Sequence, residues 1–119
     1  MEWDVEYTDE FGEWFSALSL QEEQKVAASV NLLVMHGPRL GFPYTSNVKG
    51  SRHEHMRELR VQVRGRPFRI LFAFDPRRCA ILLLGGDKGG DDRWYEVNVP
   101  KADKLYDEHL DELTREGLL

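Results

Sequence analysis

The 119-residue sequence predicts an α+β fold in one domain over residues 1–119, and three observations lead to this class. A short segment of alternating polar and apolar residues begins the chain. Two amphipathic helical patterns follow it, and three consecutive strand patterns precede a final helical pattern. The predicted order is an N-terminal strand, an antiparallel helical hairpin, a three-stranded antiparallel meander and a C-terminal helix.

The N-terminal third of the chain predicts the first strand and the helical hairpin. Residues 2–7 alternate with period two, which indicates a half-buried strand. Ser19 and Glu22 match a capping box that would begin the second helix, and the Gly37-Pro38 pair would end it. The first helix is indicated by apolar residues at helical spacing, namely Phe11, Trp14, Phe15 and Leu18.

The remainder of the chain predicts a loop, three strands and a helix. Residues 37–54 are rich in glycine, proline and small polar residues, which favours a loop. Strands are predicted at about residues 56–63, 67–74 and 79–84, with a turn at 75–78. The last helix is expected to run from near Pro100 to about Glu116, because proline is tolerated in a first helical turn.

The alternation in the first two strands of the meander places two arginines on one face. Placing Val63 opposite Phe68, across a loop at residues 64–67, sets Gln62 opposite Arg69. In that register Arg60 faces Leu71, and both Arg60 and Arg69 lie on an open face of the sheet, with Glu58 one pleat away. A solvated polar face and a polyanion-binding face are both compatible with this pattern, and the clustering of guanidinium groups favours the second.

Charge is segregated along the chain, although the net charge is −5. Residues 1–38 contain eight acidic residues and one basic residue, residues 39–78 contain ten basic and three acidic residues, and residues 79–119 contain ten acidic and five basic residues. The basic middle third indicates a local positive field. No apolar run suits a membrane span, no basic leader precedes the acidic N-terminus, and the single cysteine excludes an internal disulfide, so a cytoplasmic protein without membrane contact is predicted.

Other motifs give weaker signals. Gly85 to Gly90 surround Lys88 but lack the spacing of a phosphate-binding loop, so this segment is either a flexible turn or part of a site. His53 and His55 are two residues apart without a nearby cysteine, so surface histidines are favoured over a metal site. No metal and no cofactor are predicted.

The order of elements and the segments MRELR, GRPFRILFAFD and AILLLGGDKGGDDRWYEVNVP resemble the RelE/ParE toxin superfamily, and most closely its HigB-like branch with phage Gp49-like proteins. The resemblance covers about residues 2–112. It implies a toxin of a type II toxin–antitoxin system that acts as a metal-independent, ribosome-dependent messenger-RNA endonuclease. It also implies a helix-turn-helix antitoxin, with operator DNA bound only through the antitoxin complex.

The resemblance also implies roles for particular residues. Arg60 and Arg69 match the arginines of the family's ELR and FRIL strands and would hold the scissile phosphate, and Lys88 matches a loop lysine that would contact phosphate or donate a proton. Glu58 would act as a base or orient Arg60. The expected RNA-binding residues are Arg57, Arg64, Arg66, Arg52, Lys49, Trp94 and Tyr95, the last two by stacking on unpaired bases.

Two other functions remain open at the level of sequence. A member of the same superfamily could bind DNA gyrase without cleaving RNA, as in the ParE branch. A catalytically degenerate binding module is the third possibility, because this loop has one lysine where many relatives have a pair, and it has no histidine.

Overall fold

The computed structural model describes residues 2–119 and shows three α-helices around one five-stranded sheet. The helices are α1 (Asp9–Ser16), α2 (Leu20–His36) and α3 (Trp94–Arg115), and a short 3₁₀ helix (Gly37–Arg39) follows α2. The strands are β1 (Val5–Tyr7), β2 (Thr45–Asn47), β3 (Arg57–Val63), β4 (Arg66–Phe74) and β5 (Ala80–Asp87). The predicted α+β class is confirmed, and the elements that were predicted occur in the predicted order.

The sheet has the order β1-β5-β4-β3-β2. Strand β1 pairs in parallel with β5, and all other neighbours are antiparallel. The meander β3-β4-β5 therefore forms the centre of the sheet, and the two three-residue strands protect its edges. Short edge strands are a common way to limit edge-to-edge association.

Helices cover both faces of the sheet, so two apolar cores form. On one face α1 and α2 pack against β3, β4 and β5 through a core that includes Phe11, Val26, Leu33, Leu59 and Phe72. On the other face α3 packs against β4 and β5 through a second core that includes Leu71, Ile81, Leu83, Val99 and Ala102. The prediction that this face of the meander is open to solvent is therefore wrong for most of its length.

The start of α2 confirms the predicted capping box. The Ser19 hydroxyl accepts a hydrogen bond from the Glu22 amide at 3.2 Å, and the Glu22 carboxylate accepts one from the Ser19 amide at 2.8 Å. Each of these bonds satisfies an amide that would lack a partner at a helix terminus.

The β3–β4 register differs from the prediction by two residues. Arg64 and Gly65 have φ angles of 50° and 79°, which is the geometry of a tight two-residue hairpin turn. Val63 consequently faces Arg66, and Arg60 lies directly opposite Arg69. Because the shift is an even number of residues, each side chain keeps its predicted face while its partner changes.

The C-terminal helix begins six residues earlier than predicted. It starts at Trp94 and contains Pro100 in its interior. An interior proline lacks the amide hydrogen that the helix needs, which is why the sequence favoured a start near Pro100. Burial of Trp94 and Val99 against the sheet compensates for this defect.

Strand β2 was not predicted, because three residues are too few to show alternation and they lie between proline and glycine residues. None of the helices within residues 2–119 is long and apolar enough to span a membrane.

Candidate functional site

A buried carboxylate, Glu58, forms the centre of the candidate site. It lies on β3 on the face toward α3, and only 4% of its surface is exposed. Its Oε1 accepts a hydrogen bond of 2.5 Å from the Tyr95 hydroxyl, and its Oε2 accepts one of 2.5 Å from the Ser46 hydroxyl. Both carboxylate oxygens are thus engaged by neutral donors from β2 and α3.

Two guanidinium groups flank this carboxylate. Arg60 Nη1 lies 3.4 Å from Glu58 Oε2, and Arg69 Nε lies 3.6 Å from Glu58 Oε1. Arg60 and Arg69 are directly opposed across β3 and β4, an arrangement that is repulsive for like charges. The single charge of Glu58 offsets only part of this repulsion, so the cluster has an excess of positive charge.

The two arginines differ in exposure. The Arg60 side chain is 30% exposed, whereas Arg69 is only 5% exposed and donates from Nη1 to the Phe68 carbonyl at 2.9 Å. Arg69 Nε is buried without a hydrogen-bond partner among the described residues. An unpaired buried donor is costly, which is consistent with a group that completes its bonding with a ligand or water. The expectation that Arg69 is openly exposed is wrong.

Tyr95 of α3 lies beside the carboxylate, and Lys88 lies against the Tyr95 ring. The Lys88 ammonium lies 5.7 Å from the centroid of the Tyr95 ring, within the range of a cation–π contact. Burial, together with the hydrogen bond to the Glu58 carboxylate, raises the pKa of Tyr95 to about 12. The Tyr95 hydroxyl therefore keeps its proton at neutral pH and can donate to Glu58.

Gly86 of β5 allows an aromatic ring to approach the sheet next to the cluster. Strand β5 continues to Asp87, so Gly85 and Gly86 belong to the strand rather than to the predicted loop. Gly86 pairs with Arg69, and a Cβ at Gly86 would lie 2.8 Å from Nε1 of Trp94. Trp94 fills this space and is only 5% exposed, so the expected stacking of Trp94 on a base is incompatible with its position.

Four of the predicted RNA-binding residues lie away from the cluster or are engaged elsewhere. Arg57 points to the opposite face, where its Nη2 donates to the Thr45 hydroxyl at 2.7 Å. Arg66 pairs with Glu22 near the start of α2, and Arg52 binds Asp107 on α3 at 2.6 Å. The fourth residue, Trp94, is buried in the core between α3 and the sheet.

Lys49 and Arg64 are exposed, in the loop before β3 and in the hairpin turn. Of the predicted site residues, the structure brings together five, namely Glu58, Arg60, Arg69, Lys88 and Tyr95.

The structure adds three residues that the sequence did not indicate, namely Ser46, Phe42 and Tyr44. Ser46 binds Glu58, and the Phe42 ring lies 5.1 Å from the guanidinium carbon of Arg60. Tyr44 accepts a backbone hydrogen bond of 2.8 Å from the amide of Arg60. The pairing of β2 with β3 brings Ser46 to Glu58 and Tyr44 to Arg60, but the three residues of β2 are too few to show a strand pattern in the sequence.

Other features lie outside this cluster. A groove of about 770 Å³ between α1, α2 and β1 is lined by apolar residues such as Phe11 and Val30, and it contains none of the predicted site residues. Within residues 2–119 no three His, Cys, Asp or Glu side chains are grouped so that they could hold a metal ion. Burial raises the pKa of Cys79 to about 11, so this thiol is a weak nucleophile.

The fold resembles that of solved RelE toxins. A doubly substituted variant of the E. coli toxin RelE in the free state aligns with a TM-score of 0.56, covering 95% of this chain and 99% of RelE at 9% identity. The archaeal RelE–RelB complex from Pyrococcus horikoshii OT3 aligns with a TM-score of 0.55, covering 76% of this chain and 99% of that chain at 12% identity. At such identities the likeness concerns the fold, which is of the RelE class.

Sequence comparisons give the family. A family model described as phage derived protein Gp49-like matches residues 13–107. HigB3, a candidate toxin of Mycobacterium tuberculosis, is 50% identical over 92 residues, which cover 76% of this chain and 79% of HigB3. HigB2, a candidate toxin of the same organism, is 43% identical over 99 residues, which cover 82% of this chain and 49% of HigB2. The alignment thus spans about half the length of HigB2.

The chain belongs to the Gp49-like family and is a homologue of the HigB toxins, and its fold is that of RelE. The resemblance found in the sequence is confirmed.

Proposed function

We propose that this toxin is a ribosome-dependent messenger-RNA endonuclease. The observation that supports the proposal is a cationic cluster in which Arg60 and Arg69 flank one buried carboxylate and Lys88 lies against the neighbouring Tyr95 ring. A phosphodiester in place beside Arg60 would supply the negative charge that Glu58 alone cannot. Fixed cations of this kind stabilise the additional charge of a phosphorane transition state.

The proposed reaction needs no metal. The ribose 2′-oxygen attacks the adjacent phosphorus while its proton passes to a base, and the bond from phosphorus to the 5′-oxygen breaks as that oxygen takes up a proton. The products are a 2′,3′-cyclic phosphate and a 5′-hydroxyl. Arg60 is the accessible guanidinium and would contact a nonbridging oxygen, because guanidinium forks match phosphate geometry.

The geometry supports an orienting role for Glu58 over a role as the base. Its carboxylate is 4% exposed, and both of its oxygens already accept hydrogen bonds from Tyr95 and Ser46. A general base must come within hydrogen-bond distance of the proton that it removes. Glu58 is better placed to fix the guanidinium groups of Arg60 and Arg69, and Lys88 remains the proposed phosphate ligand or proton donor.

We also propose a helix-turn-helix antitoxin as the partner, with operator DNA bound only through that complex, and the cytoplasm as the site of action. The solved archaeal neighbour in fold is itself a RelE–RelB complex, which supports the expectation of an antitoxin. The ribosome and its messenger RNA are the proposed targets. Co-expression with an adjacent helix-turn-helix gene should reverse growth arrest by the toxin.

Mapping of transcript 5′ ends after induction tests the proposed nuclease. We expect new ends within translated regions, in phase with codons, that appear within minutes and disappear when translation initiation is blocked. The matched control is the Arg60→Ala variant at equal expression.

Two outcomes of the mapping would refute the proposed nuclease. Induction of the DNA-damage response without new transcript ends would favour a ParE-like gyrase inhibitor. Growth arrest with neither signal would favour a binding module without catalytic activity.

A further inference from the structure

Two aromatic side chains next to the cationic cluster are exposed to a degree that packing does not explain. Phe42 is 76% exposed and Tyr44 is 50% exposed, and both lie in the segment between the 3₁₀ helix and β2. Single exposed apolar residues are common on protein surfaces. Two neighbouring rings that border a charged site are a stronger indication of a ligand surface.

Arg60 joins these rings to the candidate site. Its guanidinium carbon lies 5.1 Å from the centroid of the Phe42 ring, and its amide donates to the Tyr44 carbonyl at 2.8 Å. Thr45 faces Leu59 in the β2–β3 register, so Tyr44 is the neighbour of Arg60 across the strands. The alternation of side chains then places Tyr44 on the same face as Arg60 and Ser46.

The backbone that presents the two rings is firmly anchored. The amides of Tyr44 and Thr45 donate to the Gly41 carbonyl at 2.9 Å and 3.1 Å. The buried Thr45 hydroxyl donates to the Leu40 carbonyl at 2.5 Å and accepts from Arg57 Nη2 at 2.7 Å. Arg57 therefore holds the aromatic segment in place. A surface that is ordered before binding loses little entropy when a ligand arrives.

We propose that Phe42 and Tyr44 form a stacking platform for an unpaired RNA base adjacent to the phosphate that Arg60 contacts. The proposal rests on the proposed function and identifies the residues that would hold the base of the neighbouring nucleotide. Aromatic rings beside an arginine are the common means of holding splayed bases of single-stranded RNA. The sequence suggested Trp94 for base stacking, but Trp94 is buried. Phe42 and Tyr44, which lie next to Arg60, take this role in the proposal.

The platform makes a prediction that separates stacking from charge. We expect the double variant Phe42→Leu/Tyr44→Leu to bind a short unstructured RNA with a dissociation constant roughly 5- to 150-fold higher, which corresponds to the usual range for the loss of one stacked base. The slope of log affinity against log salt should stay unchanged, because stacking releases no counterions. Arg60→Ala should make that slope shallower, because one phosphate contact is lost. Fluorescence anisotropy with a labelled RNA, titrated at several salt concentrations, measures both quantities.

Tyr7→Leu is the matched control, because Tyr7 is 66% exposed and lies at the apolar groove rather than at the cationic cluster. Its affinity and salt slope should equal those of the wild type. Circular dichroism of each variant shows that the fold is retained.

Several results would overturn the platform. These are unchanged affinity in the double variant, an equal loss in Tyr7→Leu, or no RNA binding by the wild-type protein at ~1 mM, a concentration above the usual range of nonspecific dissociation constants. Self-association that depends on Phe42, seen by sedimentation, would make a second copy of the chain the occupant. Messenger cleavage by the double variant at the wild-type rate refutes the platform alone, whereas absence of cleavage by the wild type refutes the proposed nuclease.

Discussion

Glu58 and Asp75 are two buried carboxylates of this protein, and their neighbours neutralise them to different degrees. Asp75 accepts hydrogen bonds from Arg77 at 2.8 Å and from His109 at 2.9 Å, as well as from the Cys79 amide at 3.2 Å. Glu58 accepts short hydrogen bonds from two hydroxyls while two guanidinium groups lie farther away, at 3.4 Å and 3.6 Å. The donors around Asp75 thus bind its carboxylate directly, whereas the guanidinium groups near Glu58 keep donors available for a ligand.

Asp75 should make stability depend on pH. Burial alone would raise the pKa of Asp75, but hydrogen bonds from His109, Arg77 and Cys79 outweigh this effect and hold the pKa below the ordinary value of 3.8. A carboxyl group whose pKa is depressed by folding contributes stability that is fully present above the unfolded value and is lost as the pH falls through the folded value. The free energy of unfolding of the wild type should therefore exceed that of Asp75→Asn by the largest amount above about pH 5, and this difference should shrink below about pH 4.

Urea unfolding of both proteins between pH 7 and pH 3 measures this dependence. Asp111→Asn, which removes an exposed carboxylate from α3, is the control for the loss of one negative charge. A free-energy difference for Asp75→Asn that is the same at all pH values would contradict the assignment.

At the scale of elements, alternation predicted the faces of the strands but not their partners. The predicted faces of Arg60 and Arg69 are confirmed, because an error of two residues in register leaves the faces unchanged. The register itself depends on the hairpin turn, which was predicted as a loop at residues 64–67 and is a two-residue turn at Arg64 and Gly65. The uniformly apolar residues 79–84 did indicate that both faces of β5 are covered, and α3 provides the second cover.

The close contact between β5 and α3 makes Gly86 a sensitive position. In Gly86→Ala the new methyl group would lie 2.8 Å from Nε1 of Trp94, so the ring or the strand has to shift. We expect the free energy of unfolding to fall by about 1–3 kcal/mol, the usual cost of overpacking. Chemical denaturation provides the measurement.

Gly41→Ala is the control for Gly86→Ala, because the nearest nonadjacent atom, the Arg39 carbonyl oxygen, would lie 3.9 Å from its Cβ. Its stability should remain within about 1 kcal/mol of the wild type. Equal stabilities of the two variants would show that α3 does not press on β5 at this point.

At the scale of the whole molecule, the acidic segments of the chain surround a basic centre. Several arginines of the middle third are bound by these acidic segments, as Arg66 is by Glu22 and Arg52 is by Asp107. Charge segregation in the sequence thus predicted a cationic cluster correctly but overstated its extent. Periodicity and motif spacing could not show which arginines are paired, since the pairing depends on how α2 and α3 pack around the sheet.

The proposed nuclease centre requires Arg60 to be exposed and Glu58 to be buried. Cleavage of a messenger RNA in a reconstituted translation system, with equal amounts of folded toxin, tests this requirement most directly. The control is Arg115→Ala in the last turn of α3, because that helix places its end about 30 Å from Trp94.

In that system we expect the wild type and Arg115→Ala to cleave alike. Arg60→Ala should cleave on the order of 10²–10³-fold more slowly, the usual effect of removing one group that stabilises a transition state. Cleavage by folded Arg60→Ala at the wild-type rate would contradict the assignment of this cluster as the phosphate site.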